Sequence, residues 1–307
     1  MVTHWDAVEP VAIERPQLRG WRWRLGAAAG AERVGLSRYR LAAGERAMPV
    51  HVHADEEELF FVLGGEGVSW QDGHTYEVRA GDVVLHRASA EAHTILGAGD
   101  GLDVLAFGTG SATGLTWLPR AQAWWNGPHW LPHDGPNPFA AEDAAGPLEL
   151  PEPERERPST IAKVDDVPPR HQARRGDVAG ERRRLSEVLG ARKSTLQRLV
   201  VEPGTLSYPP HCHSAEEELF VVLDGTGHLL LGDDDEHPVR PGSIVARPPG
   251  TGVAHAFRAG EEPLTLLAYS DRDPNDICFY PRSGKVSLRG IKAIFHVERV
   301  GYWDGEE

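Results

Sequence analysis

His51-Val-His53 is followed five residues on by Glu58, and His211-Cys-His213 stands in the same relation to Glu218, 160 residues further along the chain. On a strand, side chains at i and i+2 share a face, so each His-x-His pair presents two imidazoles side by side. A carboxylate arriving just after the turn completes a cluster of neutral nitrogens and one hard oxygen. Such a donor set suits Mn, Fe, Co, Ni, Zn or Cu better than Mg or Ca. Glu56, Glu57 and Glu58 compete for the carboxylate position, as do Glu216, Glu217 and Glu218. Glu58 and Glu218 are preferred, because each leads an apolar run and stands seven residues before a glycine; Glu57 and Glu217 remain one step away.

The duplication extends beyond these ligands. His51-Val-His53-Ala-Asp-Glu-Glu-Glu58-Leu-Phe-Phe-Val-Leu-Gly-Gly65 reads against His211-Cys-His213-Ser-Ala-Glu-Glu-Glu218-Leu-Phe-Val-Val-Leu-Asp-Gly225. Upstream, Arg38 and Gly44 match Arg198 and Gly204; downstream, Gly81 and His93 match Gly242 and His255, and Trp117-Leu-Pro-Arg120 matches Phe279-Tyr-Pro-Arg282. Two copies are too few for a solenoid, so the chain is read as a duplicated domain.

These residues resemble the cupin superfamily, and the pair resembles a bicupin. The first cupin motif is a Gly, then His-x-His, a Glu and a second Gly. It is met by Gly44, His51, His53, Glu58 and Gly65 and again by Gly204, His211, His213, Glu218 and Gly225, with one extra residue after the first Gly of each. The second motif, Gly, Pro-x-Gly and His, is met by Gly242, Pro248, Gly250 and His255. In the first half Gly81 and His93 stand, but Arg87 to Ser89 replace Pro-x-Gly. The resemblance implies an all-β fold of two cupin-type jelly-roll β-barrels with few short helices. It also implies one divalent transition metal per barrel (Fe, Mn, Ni, Cu or Zn), held by His51, His53, Glu58 and His93 and by His211, His213, Glu218 and His255. His86 lies one strand-length before His93 and is the alternative to it. Site one, with its altered second motif, is expected to be the weaker or differently metallated one. Cys212, between two ligands that share a face, is expected to point away from the metal.

The elements that must position these ligands are short Val/Leu/Phe-rich runs among 34 Gly and 24 Pro, a pattern of strands and turns. Glu58 to Gly65 and Glu218 to Leu223 read as strands apolar on both faces, and Asp72-Gly73 as a hairpin turn. The expected organisation is an N-terminal barrel over residues 1–118, a Trp/Pro-rich linker over 119–160 and a C-terminal barrel with a terminal extension over 161–307. In the linker, Trp124, Trp125 and Trp130 are read as aromatics that pack it against a barrel or a dimer interface. The alternative is a lid, with His129 or His133 as a base. Gly180 to Gly190, with Arg182 to Arg184, reads as a helical turn with a charged face. The segment after residue 275 is expected to pack on the opposite barrel. Arg38, Tyr39, Trp70, Gln197 and Arg198 could face a barrel interior.

The 307 residues suit about two domains. A net charge of −14 argues against nucleic acid or anionic membrane as a partner. No apolar run approaches a membrane span, the N-terminus lacks a secretory h-region, and two Cys give no disulfide framework. The expected setting is the cytoplasm, with a small-molecule substrate and a homodimer as one possible assembly. Three His and one Glu leave coordination positions for O₂, a carboxylate or water. The expected function is a metal-dependent oxidoreductase of dioxygenase type acting on a small organic acid or oxygenated aromatic, with the C-terminal barrel as its site. The alternatives are a redox-neutral isomerase, lyase or hydrolase, or a non-catalytic small-molecule-binding cupin.

Overall fold

The computed structural model describes residues 2–110, 114–126, 129–131 and 137–306. Each half is built on one large antiparallel sheet. In the N-terminal half the order is Ile161–Lys163, Asp82–His86, Glu58–Gln71, His93–Gly108, Gly35–Leu41, Arg19–Trp23 and Val11–Glu14. In the C-terminal half it is Val2–His4, Ser243–Arg247, Glu218–Asp224, Leu264–Asp271, Ser194–Val201, Val178–Arg184 and Arg170–Arg175. The two orders are the same strand for strand. The first strand of each half is exchanged: Val2–His4 pairs with Ser243–Arg247, and Ile161–Lys163 with Asp82–His86. Each jelly roll closes through a second layer, His74–Arg79 on the long strands of the first half and Asp235–Val239, Gly227–Leu231 and His255–Ala259 in the second.

The central strands are apolar on both faces because both are covered. Phe60, Val62, Val104 and Ala106 point into the N-terminal barrel, and Phe220, Val222, Leu266 and Ala268 into the C-terminal one. The alternate residues, Leu59, Phe61, Leu105, Phe107, Leu219, Val221, Leu267 and Tyr269, meet in one core between the halves, with Phe107 and Tyr269 rings 5.0 Å apart. Full burial of such a side chain contributes about 1.5–3 kcal/mol, so this shared core is a principal source of cohesion.

The Trp-rich segment is more than a linker. Ala123–Asn126 and His129–Leu131 join Thr116–Leu118 and Val52–His53 in a four-stranded sheet. The counterpart in the other half is Cys212–His213, Ile277–Tyr280, Lys285–Leu288 and Ala293–His296. The segment after residue 275 therefore stays with its own barrel through Cys212–His213; the exchanged first strands are what cross over. Trp117 and Trp124 rings lie 5.1 Å apart, and Trp125 meets Phe139 edge-on. Phe139 sits on the helix Pro138–Ala144, which starts on an Asn137 cap and inserts the buried Glu142 between Arg46 and Arg120, 2.8 and 3.2 Å away. His133 lies outside the described residues. Arg182 to Arg184 end the strand Val178–Arg184, and the helix is only Leu185–Leu189; the strand persists because it pairs residue for residue with Gln197 to Val201. Among the described residues, no helix is long and apolar enough to cross a membrane.

Candidate metal centres

Strand geometry delivers the donors. His51 bridges to His93 and His211 to His255 across the closing layer of each barrel, while Glu58 and Glu218 open the central strands beside them. Seven residues past each carboxylate the backbone kinks, at a register shift within Glu58–Gln71 and just beyond the end of Glu218–Asp224. Gly65 and Gly225 lie at φ of 75° and 77°, and a Cβ at either would collide with a carbonyl, Gly101 or Pro263.

In the N-terminal barrel His51, His53, Glu58 and His93 each place one donor atom within 4.8 Å of all the others. Glu58 Oε2 is 3.4, 3.9 and 3.2 Å from the Nε2 atoms of His51, His53 and His93. The Nδ1 atoms face outward, to the Pro49 carbonyl, the Thr116 hydroxyl and the Glu91 carbonyl. A carbonyl only accepts, so Nδ1 of His51 and His93 carries the proton and, in the neutral ring, Nε2 offers a lone pair toward a carboxylate. Lone pairs facing a carboxylate in a buried site call for a cation between them, and the donor chemistry fits a divalent transition metal.

The C-terminal barrel repeats the plan with differences. His211, Glu218 and His255 converge within 4.8 Å, and His213 Nε2 stands 3.5 Å from Glu218 Oε2. His255 Nε2 is 2.9 Å from the same oxygen. His211 Nδ1 donates to the Pro209 carbonyl, but His213 Nδ1 is held by the Asp276 carboxylate at 2.7 Å. Asp276 also accepts the backbone N–H groups of Ala215 and Glu216, and the buried Glu216 is paired with Arg289. Cys278, not Cys212, is the thiol near this site, within 4.8 Å of donors on His211 and His213. Cys212 is buried away from it.

The electrostatics diverge accordingly. Burial drives His53 and His93 down to about 3, with neighbouring imidazoles adding to the fall, whereas burial of His51 is outweighed by Glu58 and its pKa rises. Burial, then His255, lowers His211 to about 4. Burial of His213 is overridden by Glu218 and Asp276, which lift it to about 9. Glu58 and Glu218 are half-buried, and desolvation works against their charge, yet the surrounding imidazoles hold both carboxylates well below the ordinary range.

His86 is not in the four-donor group. It pairs across from Glu58 and stacks flat on His93, ring centroids 3.7 Å apart, with Nδ1 2.9 Å from Glu91. The residue in its place in the second half is Arg247, opposite Glu218. Glu57 and Glu217 turn away from the metal positions altogether. Glu57 accepts the backbone N–H groups of Arg192, Lys193 and Ser194; Glu217 accepts those of Glu32, Arg33 and Val34. Of the residues expected to face a barrel interior, Gln197 lines a cavity. Tyr39 also faces inward, in the core of the N-terminal barrel, whereas Arg38 forks onto Asp103, Trp70 donates to the Glu149 carbonyl, and Arg198 lies 3.9 Å from Asp165.

That cavity opens on the C-terminal donors and has a volume of about 570 Å³. Tyr208 and Tyr280 form walls against His211, with ring centroids 6.1 and 5.7 Å away, and the lining mixes Arg182, Arg184, Arg272, Arg289 and Lys292 with Glu187, Glu216, Glu218 and Asp276. Sequence reasoning missed Asp276, Cys278, Tyr280 and Arg182. The repeated Trp117/Phe279 tetrapeptide was the available signal, since its register brings Thr116 and Cys278 opposite His53 and His213.

The fold and the paired donor sets define a two-barrel protein with a His/Glu centre prepared for metal in each half. Residues 37–106 and 197–269 each match the cupin domain family, and the chain belongs to it as a bicupin. Among curated proteins, none matches the sequence. Among solved structures it is similar to the oxalate decarboxylase of Lactobacillus farciminis, at 16% identity over 91% of this chain and 88% of that one, with a TM-score of 0.59. It is similar also to the Bacillus subtilis oxalate decarboxylase, at 14% over 92% and 78%, TM-score 0.61. Procruciferin, an 11S globulin of Brassica napus, is as similar, at 14% over 91% and 86%, TM-score 0.59. One fold thus spans enzyme and globulin, and the chemistry must be argued from the site.

Proposed function

We propose that this chain is a metal-dependent enzyme acting on a small organic acid by redox-neutral, lyase-type chemistry, with its catalytic centre in the C-terminal barrel. In this reading His51, His53, Glu58 and His93 hold one metal, and His211, His213, Glu218 and His255 hold the other. The observation that carries it is the cavity of about 570 Å³ opening onto the second donor set, where among the described residues Arg182, Arg272 and Lys292 carry no ion pair. Cations lining a cleft concentrate an anionic substrate and strengthen its hold in a site shielded from water. The likeness of fold to oxalate decarboxylases supports the choice of C–C cleavage over oxygenation.

Three neutral imidazoles and one carboxylate leave a bound divalent metal with net positive charge, able to take an anionic oxygen and draw electron density from the adjacent carbon. The protein's own groups do the rest. Asp276 fixes the ring of His213, and Pro209 that of His211, so both present Nε2 inward. Burial raises the pKa values of Tyr208 and Tyr280, which keeps their hydroxyls protonated as hydrogen-bond donors at the cavity wall.

The test is metal analysis, expected to give two equivalents, followed by anaerobic turnover of a panel of organic acids. Carbon dioxide release without O₂ consumption, abolished by His211→Ala, is the expected result. Turnover that requires O₂ would move the chain to the dioxygenase class. Absence of turnover, with His211→Ala leaving metal content unchanged, would leave a non-catalytic binding protein.

A further inference from the structure

Among the described residues lining the C-terminal cavity, Arg182 Nε, Gln197 Oε1, Glu218 Oε2, Tyr269 Oη and Arg289 Nε have no hydrogen-bond partner and no solvent contact. An unpaired buried donor or acceptor is costly, so such groups beside a cavity can be satisfied by a ligand. The N-terminal half supplies an internal control. Arg22 occupies the position of Arg182 and Ser37 that of Gln197, as the strand registers show. There the guanidinium donates through Nε and Nη2 to Ser37 Oγ at 3.2 and 3.1 Å. With Gln197 in place of Ser37, Arg182 Nε lacks that partner and the guanidinium engages the Tyr208 hydroxyl instead.

The Arg182 guanidinium lies 6.0 Å from the Tyr208 ring, and that ring lies 6.1 Å from His211, so Tyr208 neighbours both Arg182 and a donor of the metal site. Arg184 is engaged by Glu187 and Arg289 by Glu216. Among the described residues, Arg182, Arg272 and Lys292 are the cavity cations without an ion pair. A cavity of about 570 Å³ is in the range that encloses ligands of many atoms, far more than a two-carbon acid fills.

We infer that the substrate is an elongated acid with two anionic ends, one on the C-terminal metal donors and the other on Arg182, with Gln197 hydrogen-bonding the distal end. This rests on the proposed reading of the site as one for organic acids. Isothermal titration of the metal-loaded protein with oxalate, glutarate, adipate and suberate, and with hexanoate as the single-ended control, tests it. The longer diacids are expected to bind at least about tenfold more tightly than oxalate or hexanoate. Arg182→Met is expected to bring their affinity down to that of hexanoate while leaving metal content, thermal unfolding and hexanoate binding unchanged. Arg22→Met, in the other barrel, is expected to change none of these. Oxalate binding as tightly as the longer acids, or diacid binding indifferent to Arg182→Met, would overturn the inference. If none of the acids binds the loaded protein, the reading of the site itself fails.

Discussion

Asp276 and Thr116 perform the same task with different strength. Each holds the outward nitrogen of the second histidine in its pair, but Asp276 brings a carboxylate at 2.7 Å and Thr116 a hydroxyl at 3.1 Å. Outer partners of this kind fix ring orientation and ligand basicity, and their loss weakens metal binding about 10- to 100-fold. Asp276→Ala is therefore expected to lower the affinity of one of two metal equivalents by that amount in competition with a chromophoric chelator. Thr116→Val is expected to affect the other equivalent, and less. The two thiols yield a second expectation. Burial pushes Cys278 to about 12 and raises Cys212 as well, so neither forms thiolate at pH 8 in the native protein. Iodoacetamide should label neither until urea unfolds the chain; rapid native labelling of Cys278 would contradict this environment. The His-x-His pairs and glutamates were legible because strand periodicity and repetition encode them within eight residues, and His93 and His255 through their matched places in the repeat. Asp276, Cys278 and Arg182 were not, because they reach the site through strand register, which the repeated tetrapeptide marks only indirectly.

Glu57 and Glu217, the runners-up for the carboxylate ligands in the sequence, do something else. Each follows a solvated turn in sequence, yet each carboxylate is buried against the loop after the short helix of the opposite half, where it accepts three backbone N–H groups. The helices Leu25–Ala29 and Leu185–Leu189 end in left-handed Gly30 and Gly190, so the following loops present their amides outward toward these carboxylates. Removing an acceptor leaves several buried donors unpaired, at about 1–3 kcal/mol each. Glu57→Ala and Glu217→Ala are each expected to destabilise by about 3 kcal/mol or more in urea unfolding, and Glu57→Gln by less, since the amide oxygen still accepts. A loss below about 0.5 kcal/mol for the alanine variants would show that water satisfies these amides.

At the scale of the molecule the two halves share a core, two exchanged strands and two reciprocal carboxylate clamps. A protease cut within residues 147–159 is expected to leave the fragments together on size exclusion under native conditions, and either half expressed alone is expected to aggregate. Fragments that separate and stay folded would refute this dependence. The duplicated jelly roll was legible from the repeated motifs. The exchange was not, because a three-residue strand such as Val2–His4 carries too little periodicity to announce a partner over 230 residues away.

The strand exchange has a bearing on how the two sites came to differ. Two identical barrels trading their first strands would form a symmetric pair in which any substitution appears twice, so a change that opens one pocket opens both. Joining the pair in a single polypeptide lifts that constraint. His86 can stand where the other half has Arg247, and Ser37 can accept from a guanidinium Nε where Gln197 does not, without either barrel losing the strand it borrows. Covalent linkage leaves each half free to vary without forcing the same change on the other.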